Sequence, residues 1–166
     1  VGYLVVPAYA PDGELQSLQF IPPPGIGKKL NLPGANMAGA SFVIGWTVPG
    51  CRINICEGIG QAWACWQATG DAAVVCFGAG NMGKVAKALR EQDPSARLVV
   101  VPDVGKEKQA ADIAADVSGM VAAMPEGEAN NFDANDLAQR DGLDVLAALL
   151  EAATEPPKPE PKVHPL

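Results

Sequence analysis

The fold class follows from residues 72–91, which read AAVVCFGAGNMGKVAKALRE. A continuous apolar run over 72–77 leads into a glycine-rich turn, and a helical pattern follows over 82–91. Apolar runs without alternation are typical of strands that helices cover on both faces of a parallel sheet. This segment therefore predicts one strand, one turn and one helix of an α/β fold.

The same succession of elements is repeated on both sides of this segment. Further strands are predicted over Arg52–Cys56, 98–101 and 120–123, and further helices over 60–68, 107–117 and 143–153. Short connections between such elements are typical of βαβ units with right-handed crossovers. We therefore predict a small Rossmann-like parallel sheet flanked by helices.

The first fifty residues follow a different pattern. Proline and glycine residues that favour turns separate short apolar runs at 2–6, Leu15–Ile21 and 41–46. This punctuation predicts a short antiparallel β-rich subdomain ahead of the parallel sheet.

We accordingly divide the chain into three parts. They are a β-rich N-terminal subdomain (1–50), an α/β domain (51–153) and a proline-rich linker or tail (154–166). His164 lies in this tail without a partner to orient it, so we assign it no chemical role.

The composition is that of a globular protein, because 48% of the 166 residues are hydrophobic and 19% are charged. The apolar runs are far shorter than the ~20 residues that a membrane-spanning helix needs, so no membrane contact is expected. The net charge of −7 gives no general attraction for nucleic acid. Any contact with nucleic acid therefore has to be local or mediated by a metal ion.

The four cysteines indicate a reducing environment. Cys51, Cys56, Cys65 and Cys76 show neither the paired spacing of a zinc site nor the density of a disulfide framework. We interpret them as buried thiols. The start of the chain at Val1 lacks the features of a signal peptide, which also favours a cytoplasmic location.

Acidic residues follow two of the predicted strands at the point where each strand ends. Glu57 and Gly58 follow the strand Arg52–Cys56, and Asp103 follows the strand at 98–101. Ligands of open parallel sheets bind beyond the carboxyl ends of the strands. If these two strands are neighbours, their carboxylates form an oxygen site of the type that Mg²⁺ prefers. Alternatively, each acidic residue caps a helix or is solvated.

The glycine-rich turn permits a second interpretation. Gly78, Gly80 and Gly83 satisfy the pattern G-x-G-x-x-G between a strand and a helix, and Asp103 follows Gly83 by twenty residues. This is the context of a dinucleotide-binding fingerprint, which would make the chain a fragment of an oxidoreductase. Alternatively, the glycines allow a tight turn between strand and helix.

Four segments carry a resemblance to a known family. They are 12–21 with 27–29, 55–58 with the helix that follows as far as residue 70, 79–82 with the helix that follows as far as residue 90, and 131–137 before Gly142. In this order and spacing they resemble the TOPRIM domain of phage and plasmid primases and primase-helicases. The third segment is similar to a family loop in which an asparagine, here Asn81, follows a glycine, here Gly80.

The resemblance implies a metal-dependent site. In the family, a glutamate after the first strand and an Asp-x-Asp pair after the third hold Mg²⁺ (or Mn²⁺) for nucleotidyl transfer in primer synthesis. Glu57 and Asp103 match the glutamate and the first aspartate, so both are expected to be catalytic and to bind the metal ion. Gly105 stands where the family has its second aspartate. Substitute ligands are available in Glu107, Asp133 or Asp136, and Asp136 is included in the expected metal site.

The resemblance also implies partners. These are a single-stranded DNA template, nucleotides, and a helicase domain or other parts of the same polypeptide. The expected nucleotide- or DNA-binding residues are Gly58, Gly80, Asn81, Lys84 and Lys106. Lys106 stands at the start of a predicted helix, where backbone N–H groups and lysines both attract phosphate.

Other basic and aromatic residues are further candidates for contact with the template. They are Lys28, Lys29, Lys87, Arg90, Trp46, Trp63 and Trp66. The basic residues could equally form a solubilising face, and Trp63 and Trp66 have the spacing of a helix face that lies in a core or an interface. Because Gly105 removes a carboxylate, a degenerate TOPRIM module that binds nucleic acid or protein without catalysis remains an alternative.

Overall fold

The computed structural model describes residues 2–156, whose first sheet has three antiparallel strands in the order β1-β2-β3. They are β1 (Leu4–Tyr9), β2 (Leu15–Ile21) and β3 (Leu30–Asn31). Strand β1 continues past residue 6, where its end was predicted, and includes Pro7. Proline is tolerated there because β1 is an edge strand, in which a missing N–H disrupts no ladder.

The second sheet has five strands in the order β4-β6-β5-β7-β8. They are β4 (Phe42–Ile44), β5 (Arg52–Cys56), β6 (Ala72–Val75), β7 (Arg97–Val100) and β8 (Met120–Val121). Strand β4 is antiparallel to β6, and the other neighbouring pairs are parallel. This arrangement confirms the predicted α/β class with a preceding antiparallel β-rich part.

Five helices accompany this sheet. They are α1 (Ile59–Thr69), α2 (Ala79–Gln92), α3 (Glu107–Asp116), α4 (Ala134–Asp141) and α5 (Leu143–Glu151). Buried side chains of α1, α4 and α5 belong to one core cluster, and those of α2 and α3 belong to a second one. Strand β6 contributes Val75 to the first cluster and Val74 to the second. This burial of both strand faces explains the continuous apolar runs in the sequence.

Helix α4, like the short strand β3, was not predicted from the sequence. Its start is stabilised by a capping box, in which the Asp133 carboxylate accepts hydrogen bonds from the backbone N–H groups of Asn135 and Asp136. The Asp136 carboxylate in turn accepts from the backbone N–H of Asp133 at 3.1 Å. Such reciprocal bonds satisfy N–H groups that a helix start leaves without partners.

The two sheets are joined at one bridge, where Tyr9 and Ser41 pair in antiparallel fashion. Strand β4 precedes residue 50 but belongs to the second sheet. The division of the chain at residue 50 stays a prediction. At the other edge, Thr154 bridges Val121. The remaining tail from residue 157 onward, including His164, lies outside the described residues.

The four cysteines differ in burial. Cys56, Cys65 and Cys76 are buried, Cys51 is half-buried, and all four are free thiols. Across residues 2–156, no helix combines the length and the apolar character needed to cross a bilayer.

Gly45, the residue after β4, provides a test of how this strand packs against α1. Its φ is +86°, and an added Cβ would lie 2.9 Å from the indole of Trp66. We expect Gly45→Ala to lower the free energy of unfolding by about 2–4 kcal/mol, since it combines backbone strain with overpacking. Urea unfolding followed by circular dichroism measures this change.

Gly34→Ala is the matched control. Gly34 has a similar φ of +76°, but an added Cβ would meet nothing within 4 Å. It should therefore cost only about 1 kcal/mol, from backbone strain alone. Equal losses in the two variants would contradict the proposed contact with Trp66.

Candidate functional site

The carboxyl ends of β5 and β7 lie side by side, because these strands are parallel, hydrogen-bonded neighbours. Glu57 follows β5 directly, and the backbone pairing continues past β7, where Val101 N donates to Ile55 O at 3.0 Å. Asp103 comes two residues later. The strands that precede Glu57 and Asp103 are therefore neighbours, which was the condition for the two carboxylates to converge.

A buried glutamine connects the two strand ends. Gln61, in the first turn of α1, is 2% exposed. Its Oε1 accepts from Glu57 N at 2.8 Å, and its Nε2 donates to Val101 O at 3.1 Å and to Asp103 Oδ1 at 3.2 Å. The sequence analysis missed this residue. A polar side chain four residues after Glu57, on the helix that packs over the strand ends, was the available signal.

Lys106 lies against the acidic pair. Its Nζ is 3.3 Å from Glu57 Oε2, and both side chains are about one-third exposed (35% and 32%). Lys106 was expected to bind nucleotide or DNA, whereas in the structure its ammonium pairs with the Glu57 carboxylate. Partial exposure keeps the ammonium accessible to an incoming anion.

The surroundings of Asp103 favour its protonated form. Burial raises the pKa of Asp103 to about 6, and the negative charges of Glu57 and Asp133 act in the same direction. Lys106 and the hydrogen bond from Gln61 oppose this rise. Burial likewise raises the pKa of Asp133. Asp133 is therefore an acidic neighbour of the site that α4 brings to this edge.

The other expected substitute ligands have partners in their own turns. Asp136 was expected to bind the metal ion, but its carboxylate accepts from the backbone N–H of Asp133 at the start of α4. The Glu107 carboxylate accepts from Gly105 N at 2.9 and 3.0 Å. Within residues 2–156 no group of three or more His, Cys, Asp or Glu side chains is placed to hold a metal ion.

Gly105 occupies a turn that favours glycine. Lys106 N donates to Asp103 O at 3.0 Å, which closes a four-residue turn, and Gly105 at its third position has φ +91°. Turns with positive φ at this position favour glycine. A Cβ at Gly105 would also overlap the Asn130 side-chain oxygen. The position at which the resembled family has its second aspartate therefore has a backbone conformation that favours glycine.

The glycine-rich turn has a structural role in the residues described. Gly78, with φ +144°, precedes α2, and Gly80 lies in the first turn of that helix. The Asn81 Oδ1 accepts from Gly39 N at 2.7 Å, and its Nδ2 donates to Ala40 O and Cys76 O at 2.9 Å. Asn81, expected to bind nucleotide or DNA, thus connects the segment before β4 to the end of β6.

The arrangement of strands disfavours the dinucleotide interpretation. The glycine-rich turn follows β6, whose neighbours are β5 and the antiparallel β4. Asp103 follows β7, which β5 separates from β6. In a dinucleotide-binding fold, the glycine turn belongs to the first strand of a larger doubly wound parallel sheet.

Several basic candidates are engaged elsewhere. The Arg90 guanidinium donates to the backbone oxygens of Val117, Pro94 and Ala96, so it connects loops rather than facing solvent. Lys87 Nζ lies 3.4 Å from Asp116 Oδ2. Lys28 and Lys84 are exposed. Lys29 is also exposed, and its Nζ would lie 3.4 Å from a Cβ added at Gly58, the residue before α1.

The tryptophans divide into one packed and two exposed side chains. Trp66 is partly buried against the core, in agreement with its helical spacing. Trp63 is 49% exposed and Trp46 is 92% exposed. Both exposed rings line a largely apolar groove between β1, β4 and α1.

The donor set at the strand ends fits a Mg²⁺ ion. Glu57 and Asp103 carry carboxylate oxygens, which are hard donors, and Mg²⁺ is commonly held by one or two carboxylates completed by water and substrate phosphates. Lys106 is the feature that counts against a permanently bound ion, since its ammonium already neutralises one of the two carboxylates.

No family model matches the sequence. The fold is similar to three solved structures of primases. The RNA polymerase domain of Mycobacterium tuberculosis primase DnaG has a TM-score of 0.65 at 21% identity over 92% of this chain and 55% of that chain. The Aquifex aeolicus primase, with zinc-binding and RNA polymerase domains, has a TM-score of 0.65 at 16% identity over 93% of this chain and 41% of that chain.

A DnaG primase catalytic domain bound to single-stranded DNA has a TM-score of 0.65 at 17% identity over 92% of this chain and 52% of that chain. The chain thus spans about half the length of these primase structures, between 41% and 55%. At these identities the similarity shows the fold alone, which resembles that of part of these primase structures.

The raised pKa of Asp103 predicts a pH dependence of stability. Because the folded state binds this proton more tightly than the unfolded chain, its stabilising contribution is complete below about pH 4 and is lost as the pH rises through about 6. Asp103→Asn lacks this titration, and its amide oxygen can still accept from Gln61. We expect the variant to become more stable relative to wild type between pH 4 and pH 7, as measured by urea unfolding.

Asp112→Asn is the control for this measurement. Asp112 lies on α3 with a side chain that is 68% exposed and paired with Lys108. Its stability relative to wild type should change little over the same range of pH. A flat difference for Asp103→Asn as well would contradict the raised pKa.

Asn81→Ala tests the structural role of the asparagine. Loss of its hydrogen bonds to Gly39, Ala40 and Cys76 should lower the free energy of unfolding by about 2 kcal/mol, since a buried backbone group loses its partner. Lys84→Ala, an exposed position on the same helix, should stay within about 0.5 kcal/mol of wild type. Unchanged stability of Asn81→Ala in chemical denaturation would argue against this role.

Proposed function

We propose that this chain is the TOPRIM-type part of a DNA primase that acts in primer synthesis during DNA replication. The observation that carries the proposal is the pair Glu57 and Asp103 at neighbouring strand ends, held by Gln61. The primase-like fold supports the same assignment. A partner helicase domain, an origin in a phage or plasmid and a cytoplasmic location belong to the proposal through the resemblance of the sequence motifs.

The residues at the strand ends have distinct roles in this proposal. Glu57 acts as a metal ligand or as general base toward the attacking 3′-hydroxyl, and Asp103 acts as a metal ligand. A bound Mg²⁺ ion would supply positive charge that offsets the charge developing on the phosphate oxygens. Gln61 donates to Asp103 Oδ1 and so restricts the rotation of this carboxylate.

The positive charges near this edge are suited to phosphate groups. Lys106 lies beside Glu57, and Lys29 lies beside Gly58 at the start of α1. Both side chains are partly or fully exposed. We propose that they contact nucleotide phosphates or template, with Lys84 as a further exposed contact on α2. One solved primase domain of similar fold is bound to single-stranded DNA, which supports this kind of template.

A second candidate function is binding without catalysis. It is favoured by Gly105, which stands where the resembled family has an aspartate. The φ of Gly105 is +91°, a backbone conformation that is unfavourable for residues with a side chain. In this case the module would bind nucleic acid or a protein of the replication machinery, and polymerisation would be absent. Gly105→Asp alone is not a clean test, because a Cβ at that position overlaps the Asn130 side chain.

Primer synthesis and DNA binding distinguish the two candidates. We expect the protein to extend primers from nucleoside triphosphates on single-stranded DNA with Mg²⁺ or Mn²⁺. Glu57→Gln and Asp103→Asn should each reduce the rate by about 100-fold or more, since each removes charge from a two-carboxylate metal site. Labelled oligonucleotides report both incorporation and binding.

Asp112→Asn is the matched control, because it removes an exposed carboxylate from α3 and should leave the rate unchanged. Binding of DNA without incorporation in wild type would support the second candidate. If wild type neither binds DNA nor incorporates nucleotides, primer synthesis and nucleic-acid binding by this chain are both contradicted.

A further inference from the structure

The acidic pair at the ends of β5 and β7 already has a cation beside it. Lys106 Nζ lies 3.3 Å from Glu57 Oε2, and each side chain keeps only about a third of its exposure (35% and 32%). Partly buried ion pairs are screened less by solvent and salt than exposed pairs. This contact therefore differs from an ordinary surface salt bridge of small energetic value.

The position of Lys106 is determined by the turn that Gly105 allows. The bond from Lys106 N to Asp103 O closes the turn directly after Asp103. The Gly105 N–H donates to the Glu107 carboxylate, which fixes the other side of the turn. The same turn therefore lacks a carboxylate at Gly105 and places an ammonium against Glu57.

Neighbouring lysines show that this contact is specific to Lys106. Lys108, two residues further along α3, is 90% exposed and pairs with Asp112 at 2.8 Å within its own helix. Lys29 approaches Gly58, and its charge acts on Asp133. Among the ion pairs of the described residues, the one that includes Glu57 joins it to Lys106.

The charges of the site change accordingly. Two carboxylates and one ammonium leave a net charge of about −1 at the strand ends, where two carboxylates alone would leave about −2. The attraction for a divalent cation is correspondingly weaker, and the cation has to compete for the oxygen that Lys106 contacts. The ammonium and a metal ion cannot occupy this space together without strong repulsion.

We propose that the Lys106 ammonium is the counter-ion of the Glu57 and Asp103 carboxylates in the metal-free protein, and that a divalent metal ion binds by displacing it. The inference deepens the proposed function and rests on it in one respect, the assignment of Glu57 and Asp103 as metal ligands. Displacement requires the Lys106 side chain to swing toward solvent, which its partial exposure permits. An arriving phosphate group would then be a suitable new partner for the ammonium.

The test compares Mn²⁺ binding to the complete 166-residue chain and its variants by titration calorimetry, without nucleotide or DNA. We expect Lys106→Met to bind Mn²⁺ with a Kd at least about tenfold lower than wild type, because the competing charge is removed. Lys108→Met should bind like wild type, since its ammonium faces Asp112. The double variant Glu57→Gln/Lys106→Met should lose the gain.

A second readout covers the effect of the substitution on folding. Without metal, Lys106→Met leaves two unneutralised carboxylates, so Mn²⁺ should raise its Tm more than that of wild type. Lys106→Gln provides a polar variant with the same loss of charge and should behave alike in both measurements.

Equal, weaker or undetectable Mn²⁺ binding in Lys106→Met and Lys106→Gln would overturn the proposal, as would a gain that persists in the double variant. These results do not depend on primer synthesis. If wild type never extends a primer but the Lys106 variants bind Mn²⁺ more tightly, the proposed catalysis is wrong and the counter-ion role of Lys106 stands. If wild type extends primers but the Lys106 variants gain no affinity for Mn²⁺, the proposed catalysis stands and the counter-ion role of Lys106 is wrong.

Discussion

The side-chain amide of Gln61 is the contact on which the geometry of the acidic edge depends. It is buried beneath the strand ends and makes hydrogen bonds to both of them, to Glu57 N on one side and to Val101 O and Asp103 Oδ1 on the other. A buried amide of this kind tolerates little displacement, because each atom that moves leaves a polar group without a partner. The separation between the two carboxylates is thereby tied to the position of α1.

Local charge matters more at this site than the charge of the whole chain. The chain carries a net charge of −7, yet Lys29 and Lys106 stand beside the carboxyl ends of the sheet. Fields from individual charges fall off within about 10 Å at moderate ionic strength, so the distant acidic surface contributes little here. A divalent metal ion on Glu57 and Asp103 would offset the carboxylates and leave both lysines available to phosphate groups. Contact with a polyanion is therefore compatible with an acidic protein when it is confined to this edge.

Periodicity in the sequence predicted the central strands and the helices between them, because burial on both sheet faces forces runs such as Val74 and Val75 to be apolar. Helix α4 was missed because its start depends on the reciprocal bonds of Asp133 and Asp136, which a search for apolar periodicity does not register. The residues Glu57 and Asp103 could be selected from their positions after strands. The hydrogen bonds of Gln61 and the ion pair of Lys106 with these residues could not be predicted, since strand order and the backbone of a turn decide those contacts.

The turn at Gly105 has a consequence for the redesign of this edge. An aspartate at this position would meet an unfavourable backbone angle and the side chain of Asn130. A further carboxylate here would thus require changes both in the turn and at Asn130. For protein design, Gly105 and Asn130 are coupled positions, and a library that varies Gly105 alone samples sequences that this turn does not accommodate.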